Sequence, residues 1–446
     1  MSTPVIQMRT ATETALIERF KAEQASLPGA AVARAEALAR FEKAGLPSKR
    51  VESYHYTDLR NLMRVLAPRS KPERDESKAE HDESGSKKSS ATSGCKTVFS
   101  LTGASRIAFA NGAMSGAGAM PPGVSILPLA EALCAGKASL GTAMGAASDI
   151  VVDLNAALCR EGVVISVAGA IEAPLHLAFV ETFTAPASIM PRVIVEVAAG
   201  AEFTLIESHS GPDGVPYQSN QVVELILGDG AKVEHIRLNE AGDKALVLST
   251  LAATLGAEAE LMSLNFTSGG EISRHQSFVT YAGENAKLRL NGVTMLNARQ
   301  HCDNTLVVDH AVPHGESREL FRAAIDGEAQ GVFQGKIIVR PHAQKTDGQM
   351  ASNALLLSDE AGMSNKPELE IFADDVVCAH GATCGALDEN QLFYLMARGL
   401  PRAEAEALLV EAFLDEALEA IRHEGLREAL AAKVSTWLGA RRKVAA

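Results

Sequence analysis

The residues best suited to chemistry are Cys378 and His380, with Cys384 four positions beyond His380. On an extended strand, residues two apart project to the same face. Cys378-Ala379-His380 then offers one thiolate and one imidazole side by side. Two ligands on one face are half of a tetrahedral metal site, and a partner chain would supply the other half. The alternative reading makes Cys378 a small buried hydrophobe and His380 a hydrogen-bonded structural residue.

A second group is His301-Cys302, His310 and His314, with His342 further on. His310 and His314 would share a helical face, but Pro313 breaks that helix. Stacked strands would still gather these residues. The preferred reading is a set of polar residues at strand ends and loops. A third group, Gly335-Lys336 with Gln344-Lys345-Thr346-Asp347, mixes donors and acceptors between two strand-like runs. It suits a phosphate site or, in preference, a hydrogen-bonded turn where strands end. No phosphate loop, nucleophile elbow, His-Glu-x-x-His or Cys-x-x-Cys is present, so a closed zinc or cluster site within this one chain is not expected.

These residues must be positioned by a scaffold whose character shows in the composition. The chain has 446 residues and a net charge of −13, with 46% hydrophobic and 22% charged residues. Those are globular values, and the acidity argues against a nucleic-acid partner. Aromatic residues make up only 4%, against 36 glycines, which favours stacked strands over a large helical core. Six cysteines (Cys95, Cys134, Cys159, Cys302, Cys378, Cys384) are too sparse for a disulfide framework and read as free thiols in a reducing compartment. Residues 1–21 carry Arg9, Glu13, Glu18, Arg19 and Lys21, so no secretory signal is read there. Residues 107–130 are free of charge, but Asn111, four glycines and Pro121-Pro122 give them turn chemistry. The expectation is a cytoplasmic protein with no membrane segment.

Along the chain, residues 10–66 look largely helical, with Leu16, Ile17 and Phe20 as one apolar stripe and an aromatic-rich turn at 51–60. Residues 69–94 hold no Val, Ile, Leu, Met or aromatic residue, which predicts a disordered linker. From about 190 to 340, short alternating runs are broken by glycine turns. Gly200-Ala201, Gly230-Ala231 and Gly256-Ala257 recur, with a looser copy at Gly283, at spacings of 30, 26 and 27. That period predicts a solenoid whose stacked turns share one core; a sandwich or barrel is the rival. Residues 388–397, 405–421 and 427–438 read as three helices, with Pro401 starting the second. The domain plan is an N-terminal helical domain (1–68), the linker (69–94), a mixed connecting segment (95–149), a β-helix core (150–384) and a C-terminal helical domain (385–446).

Residues 333–399 also carry a family resemblance. Phe333-Gln334-Gly335-Lys336-Ile337, Ala343-Gln344-Lys345-Thr346-Asp347 and Leu355-Leu356-Leu357-Ser358 are similar to the SufB/SufD family. So are Asn365-Lys366-Pro367-Glu368-Leu369-Glu370-Ile371, Asp374-Asp375-Val376, Cys378-Ala379-His380-Gly381-Ala382-Thr383, Leu387-Asp388, Phe393-Tyr394-Leu395 and Arg398-Gly399. Tyr54 to Arg60 resembles the family's N-terminal Tyr-Thr-x-Leu segment. His-Gly-Ala-Thr at 380–383 and Leu-Asp at 387–388 resemble the SufD branch; the SufB branch tends to read His-Glu-Ala-Thr. Cys384 stands where the family often has Val, and 69–94 is not a family feature.

The resemblance implies a mainly β protein, a right-handed parallel β-helix flanked by N-terminal and C-terminal helical domains. It implies a non-catalytic scaffold for iron–sulfur cluster assembly that pairs with SufB and docks the SufC ATPase. It further implies a transient cluster at the SufB–SufD interface with His380, and Cys378 beside it, as ligands, and no cofactor tightly bound to the isolated chain. SufC docking falls between Phe393 and Ile421, with Phe393, Tyr394 and Arg398 as candidates. Alternatives are a SufB-type scaffold, a homodimer through the same strand edge, and a β-helix carbohydrate-active enzyme. The enzyme would need acid/base groups along a groove, and no paired carboxylates are read here.

Overall fold

The computed structural model describes residues 9–70 and 99–445. Most of the expected linker, from residue 71 on, and Cys95 lie outside the described residues. The chain begins with helices Ala11–Glu23 and Ala31–Ala44. Thr10 and Glu13 form a reciprocal cap at the first helix start, satisfying two amides that a helix leaves unpaired there. Leu16, Ile17 and Phe20 pack with Ala37, Leu38 and Phe41.

The centre is a parallel β-solenoid of two facing sheets. In one sheet the strand starts stack in register: Glu202, Lys232, Glu260, Lys287, Glu316, Asp347, then Val377. Neighbours in such a column are about 4.8 Å apart, so like charges would repel. The row alternates in sign as far as Glu316. Where Glu316 meets Asp347, Arg318 donates to the Asp347 carboxylate at 2.6 Å.

Two residues before each of these strand starts except Val377, the backbone turns through the left-handed region. Gly200, Gly230, Glu258, Asn285, His314 and Lys345 have φ of 67°, 66°, 56°, 60°, 61° and 63°. Ala201, Ala231, Ala259 and Ala286 follow these corners and are fully buried. The Gly-Ala doublets therefore mark corners, as the period predicts. The register differs after the second copy, however: the left-handed residue passes from glycine to Glu258 and Asn285, and Gly256 precedes the corner instead of forming it.

Inside, Leu205, Val233, Leu261 and Leu288 line up with Val223, Leu251 and Val279 of the facing sheet. Outside, the helices Arg402–Leu418 and Glu424–Ala445 cover one sheet. Their Val410, Leu414, Leu430 and Val434 pack on Ile206, Ile236, Leu264 and Val293. Strands buried on both faces explain the near-continuous apolar runs. The last helix is longer than the expected 427–438, and Asp388 and Pro401 cap helices instead of lying within them.

The solenoid wall begins earlier than residue 150. Ser105–Ala110 pairs in parallel with Leu175–Val180, and Ala113–Ala117 folds antiparallel over its outer side. The charge-free stretch thus covers an otherwise open sheet edge. Among the described residues, no helix is long and apolar enough to cross a membrane.

Candidate functional site

The solenoid ends on the strands Gly362–Ile371 and Val377–Gly385, each the last of its sheet. Val377–Gly385 pairs with Asp347–Leu356 along one edge and leaves the other free. In that register Cys378 lies beside Gly348, His380 beside Met350, and Cys384 beside Ala354. Alternation puts 378, 380, 382 and 384 on one face. Cys378 packs against the apolar interior, so this is the inward face of the last strand. Cys378 is half-buried and His380 is exposed. The structure thus brings the predicted pair together on one side of one strand.

Cys384 does not join them. At about 3.3 Å per residue, its backbone stands about 13 Å beyond that of His380, outside the reach of one metal ion. Among the described residues no group of three or more His, Cys, Asp or Glu is placed to hold a metal. Burial pushes the Cys378 thiol up, and the carboxylates of Asp347 and Glu319 push it the same way against a hydrogen bond from Gly348. Cys378 is therefore a thiol at neutral pH and would have to give up a proton to bind a metal. The five described cysteines are all free.

Beneath His380 the interior column runs through Met350 to Glu319 and Leu290. Glu319 is fully buried, and neither carboxyl oxygen has a hydrogen-bond partner. Burial pushes it from 4.5 up to about 8. The sequence reading missed this residue. Its only signal is parity, an acid on the inward side between Ser317 and Phe321. The unfolded chain gives up this proton near pH 4.5 and the native chain near pH 8. Between those values the native state holds more protons, so its stability falls as pH rises. Glu319→Gln is expected to remove that slope. Urea midpoints of the variant and the wild type should diverge from pH 4.5 to 8, in favour of the variant. A difference that does not change with pH would contradict the assignment.

The other predicted groups stay apart. His301 Nε2 bonds Thr57 Oγ1 at 2.9 Å. Cys302 is buried, and desolvation pushes its thiol up to about 12. His310 stacks on Tyr281 at 4.2 Å, and burial pushes it down to about 4. His314 forms a left-handed corner, and His342 sits in an exposed turn. Lys336 donates to Glu370 at 2.8 Å, and Thr346 donates to the Ala343 carbonyl at 2.9 Å. The third group is thus a strand-closing turn with a surface ion pair beside it.

Two further surfaces flank the terminal coil. The helix Glu389–Ala397, capped by Asp388, buries Leu392 alone. Phe393 and Tyr394 are 74% and 59% exposed, and Arg398 lies 5.0 Å over the Tyr394 ring. Met396 and Leu408 are also exposed, and exposed apolar side chains in number commonly mark a docking site. On the opposite sheet, the 51–60 turn forms a clasp. Arg274 donates to the Ser53 carbonyl at 2.8 Å, lies 4.0 Å over the Tyr54 ring and pairs with Asp303. Thr57 donates to the same Asp303 carboxylate. Glu52 accepts from Lys366, on the penultimate strand, at 2.8 Å.

Residues 180–413 match the family model described as the SUF system FeS cluster assembly, SufBD core domain, and residues 13–65 match the SufBD protein N-terminal region. An iron–sulfur cluster assembly SufBD family protein of Synechocystis is 31% identical over 399 residues, covering 84% of each chain. The iron–sulfur cluster assembly protein SufD of Escherichia coli is 34% identical over 54% of this chain and 57% of its own. The chloroplastic protein ABCI7 of Arabidopsis thaliana is 32% identical over 53% of this chain and 50% of its own.

Proposed function

The chain belongs to the SufBD family of the SUF iron–sulfur cluster assembly system, and from that premise we propose that it is a non-catalytic scaffold of the SufD type. It pairs with a SufB subunit through its terminal coil and docks a SufC ATPase on the helices after it. It works in the cytoplasm, where thiols stay reduced. The nascent cluster is its cargo, held between the two subunits by His380 and Cys378 on this side. A SufB-type role and a homodimer through the same edge are the lesser readings, and the carbohydrate-active alternative has no support from the family.

The carrying observation is the exposed strand Val377–Gly385, with a free edge and, on its inward face, the thiol and imidazole that this reading makes half of a ligand set. It contains no Lys, Arg, Asp or Glu, the residues that usually guard an open edge from pairing. Thiolate and imidazole are ligands that iron–sulfur clusters accept. A site divided between two chains opens when the chains move and releases its cargo; a closed four-cysteine site would retain it. ATP-driven movement of SufC supplies that motion through the exposed surface of Phe393, Tyr394 and Arg398.

Co-expression with SufB and SufC tests this reading. The expected result is a three-component complex in which Phe393→Glu loses SufC and retains SufB. Recovery of the chain alone in the presence of both would overturn it.

A further inference from the structure

The last coil of the solenoid differs in charge from the coil beneath it. Residues 358–385 hold six acids, Asp359, Glu360, Glu368, Glu370, Asp374 and Asp375, and one base, Lys366. Residues 327–357 hold Glu328 and Asp347 against Lys336, Arg340 and Lys345. There the acids are matched: Glu328 pairs with Arg299 and Asp347 with Arg318. In the last coil, Lys345 reaches Asp375, Lys336 reaches Glu368 and Glu370, and Lys366 reaches Glu368. Asp359, Glu360 and Asp374 have no ion pair among the described residues.

The unpaired acids bracket the exposed strands. Asp359 and Glu360 lie in the turn that leads into Gly362–Ile371, and Asp374 in the turn between that strand and Val377–Gly385. All three are exposed. Beside Asp374 the surface is apolar: Phe372 and Val377 are 58% and 62% exposed, and Ile371 is exposed with them. An apolar centre with a charged rim is the anatomy of a protein interface.

The backbone also calls for a polypeptide. Val377 N donates to the Thr346 carbonyl, so the odd-numbered residues of Val377–Gly385 turn their backbone groups toward Asp347–Leu356. Cys378, His380, Ala382 and Cys384 turn theirs to the free edge. Another extended chain satisfies such a row. The rim then decides which chain. A second copy docked through the same end would be isologous and would set the acidic coil on itself. Like charges brought together in this way suppress the wrong partner, and opposite charges steer the right one.

We propose that the acidic rim of the last coil selects a partner subunit whose facing end carries an excess of Lys and Arg, and disfavours a second copy of this chain. The proposal rests on the reading that pairing with SufB uses this coil. Affinity of the full chain for SufB, measured by calorimetry at about 0.1 M and about 1 M sodium chloride, tests it, because the screening length falls from about 10 Å to about 3 Å between them. Binding is expected to weaken at least about tenfold at the higher salt. The triple reversal Asp359→Lys, Glu360→Lys and Asp374→Lys should cost a similar factor at the lower salt. Sedimentation of the wild-type chain alone should show less self-association at the lower salt than at the higher. A complex whose affinity ignores salt, or self-association that is stronger at low salt, overturns the proposal on the wild-type chain alone and leaves the pairing reading intact. No complex at either salt overturns the pairing reading and the proposal with it.

Discussion

Replacing His380 by alanine is expected to leave the chain folded and to remove cluster assembly by its complex. The ring is exposed and takes no hydrogen bond among the described residues, so stability should stay within about 0.5 kcal/mol of wild type. On the proposed reading, losing this imidazole from a divided site leaves this side with Cys378 alone. The yield of cluster should fall at least about tenfold, since even a supporting partner of a metal ligand is worth that much. Anaerobic reconstitution of the complex with iron and sulfide, followed by visible absorbance, measures it. Unchanged assembly would remove His380 from the site.

Asp303→Ala is expected to produce the largest loss of stability. Asp303 and Arg274 are both almost wholly buried, and the carboxylate also accepts from Thr57. Removing it strands a buried guanidinium, which costs about 3–5 kcal/mol. The damage should appear first in the N-terminal domain, because Arg274 also holds the Ser53 carbonyl and the Tyr54 ring. Urea unfolding should show the midpoint falling, and limited proteolysis should cut within residues 10–66 before the solenoid. Equal protection of both regions would show that the clasp does not hold the domain.

That Cys378 and His380 share one face was readable from sequence because two residues apart on a strand is a local rule. Cys378 and His380 needed no knowledge of the rest of the chain to share a face. The solenoid was readable because in-register stacking demands the same small residue at each corner, hence Ala201, Ala231, Ala259 and Ala286. The shift from Gly230 to Glu258 was not, since a left-handed corner is favoured by glycine but not reserved to it. Arg274 and Asp303 sit on adjacent coils and meet only after stacking, so no local pattern joins them to Tyr54. The buried acid at 319 was missed for the same reason: inward parity is visible, but a lack of partners is a property of the packed interior. The early strand Ser105–Ala110 was hidden by its turn-rich neighbours.

The alternating row of Glu202, Lys232, Glu260, Lys287 and Glu316 bears on how a protein of this kind can change length. Excising the single coil that carries Lys232 would set Glu202 directly on Glu260, and losing Glu260 would set Lys232 on Lys287. Each such meeting is unfavourable by up to about 1 kcal/mol. Removing two consecutive coils preserves the alternation. Along this row, growth and shortening by duplication or deletion are therefore easiest in steps of two, a parity rule written in surface charge and not in the core.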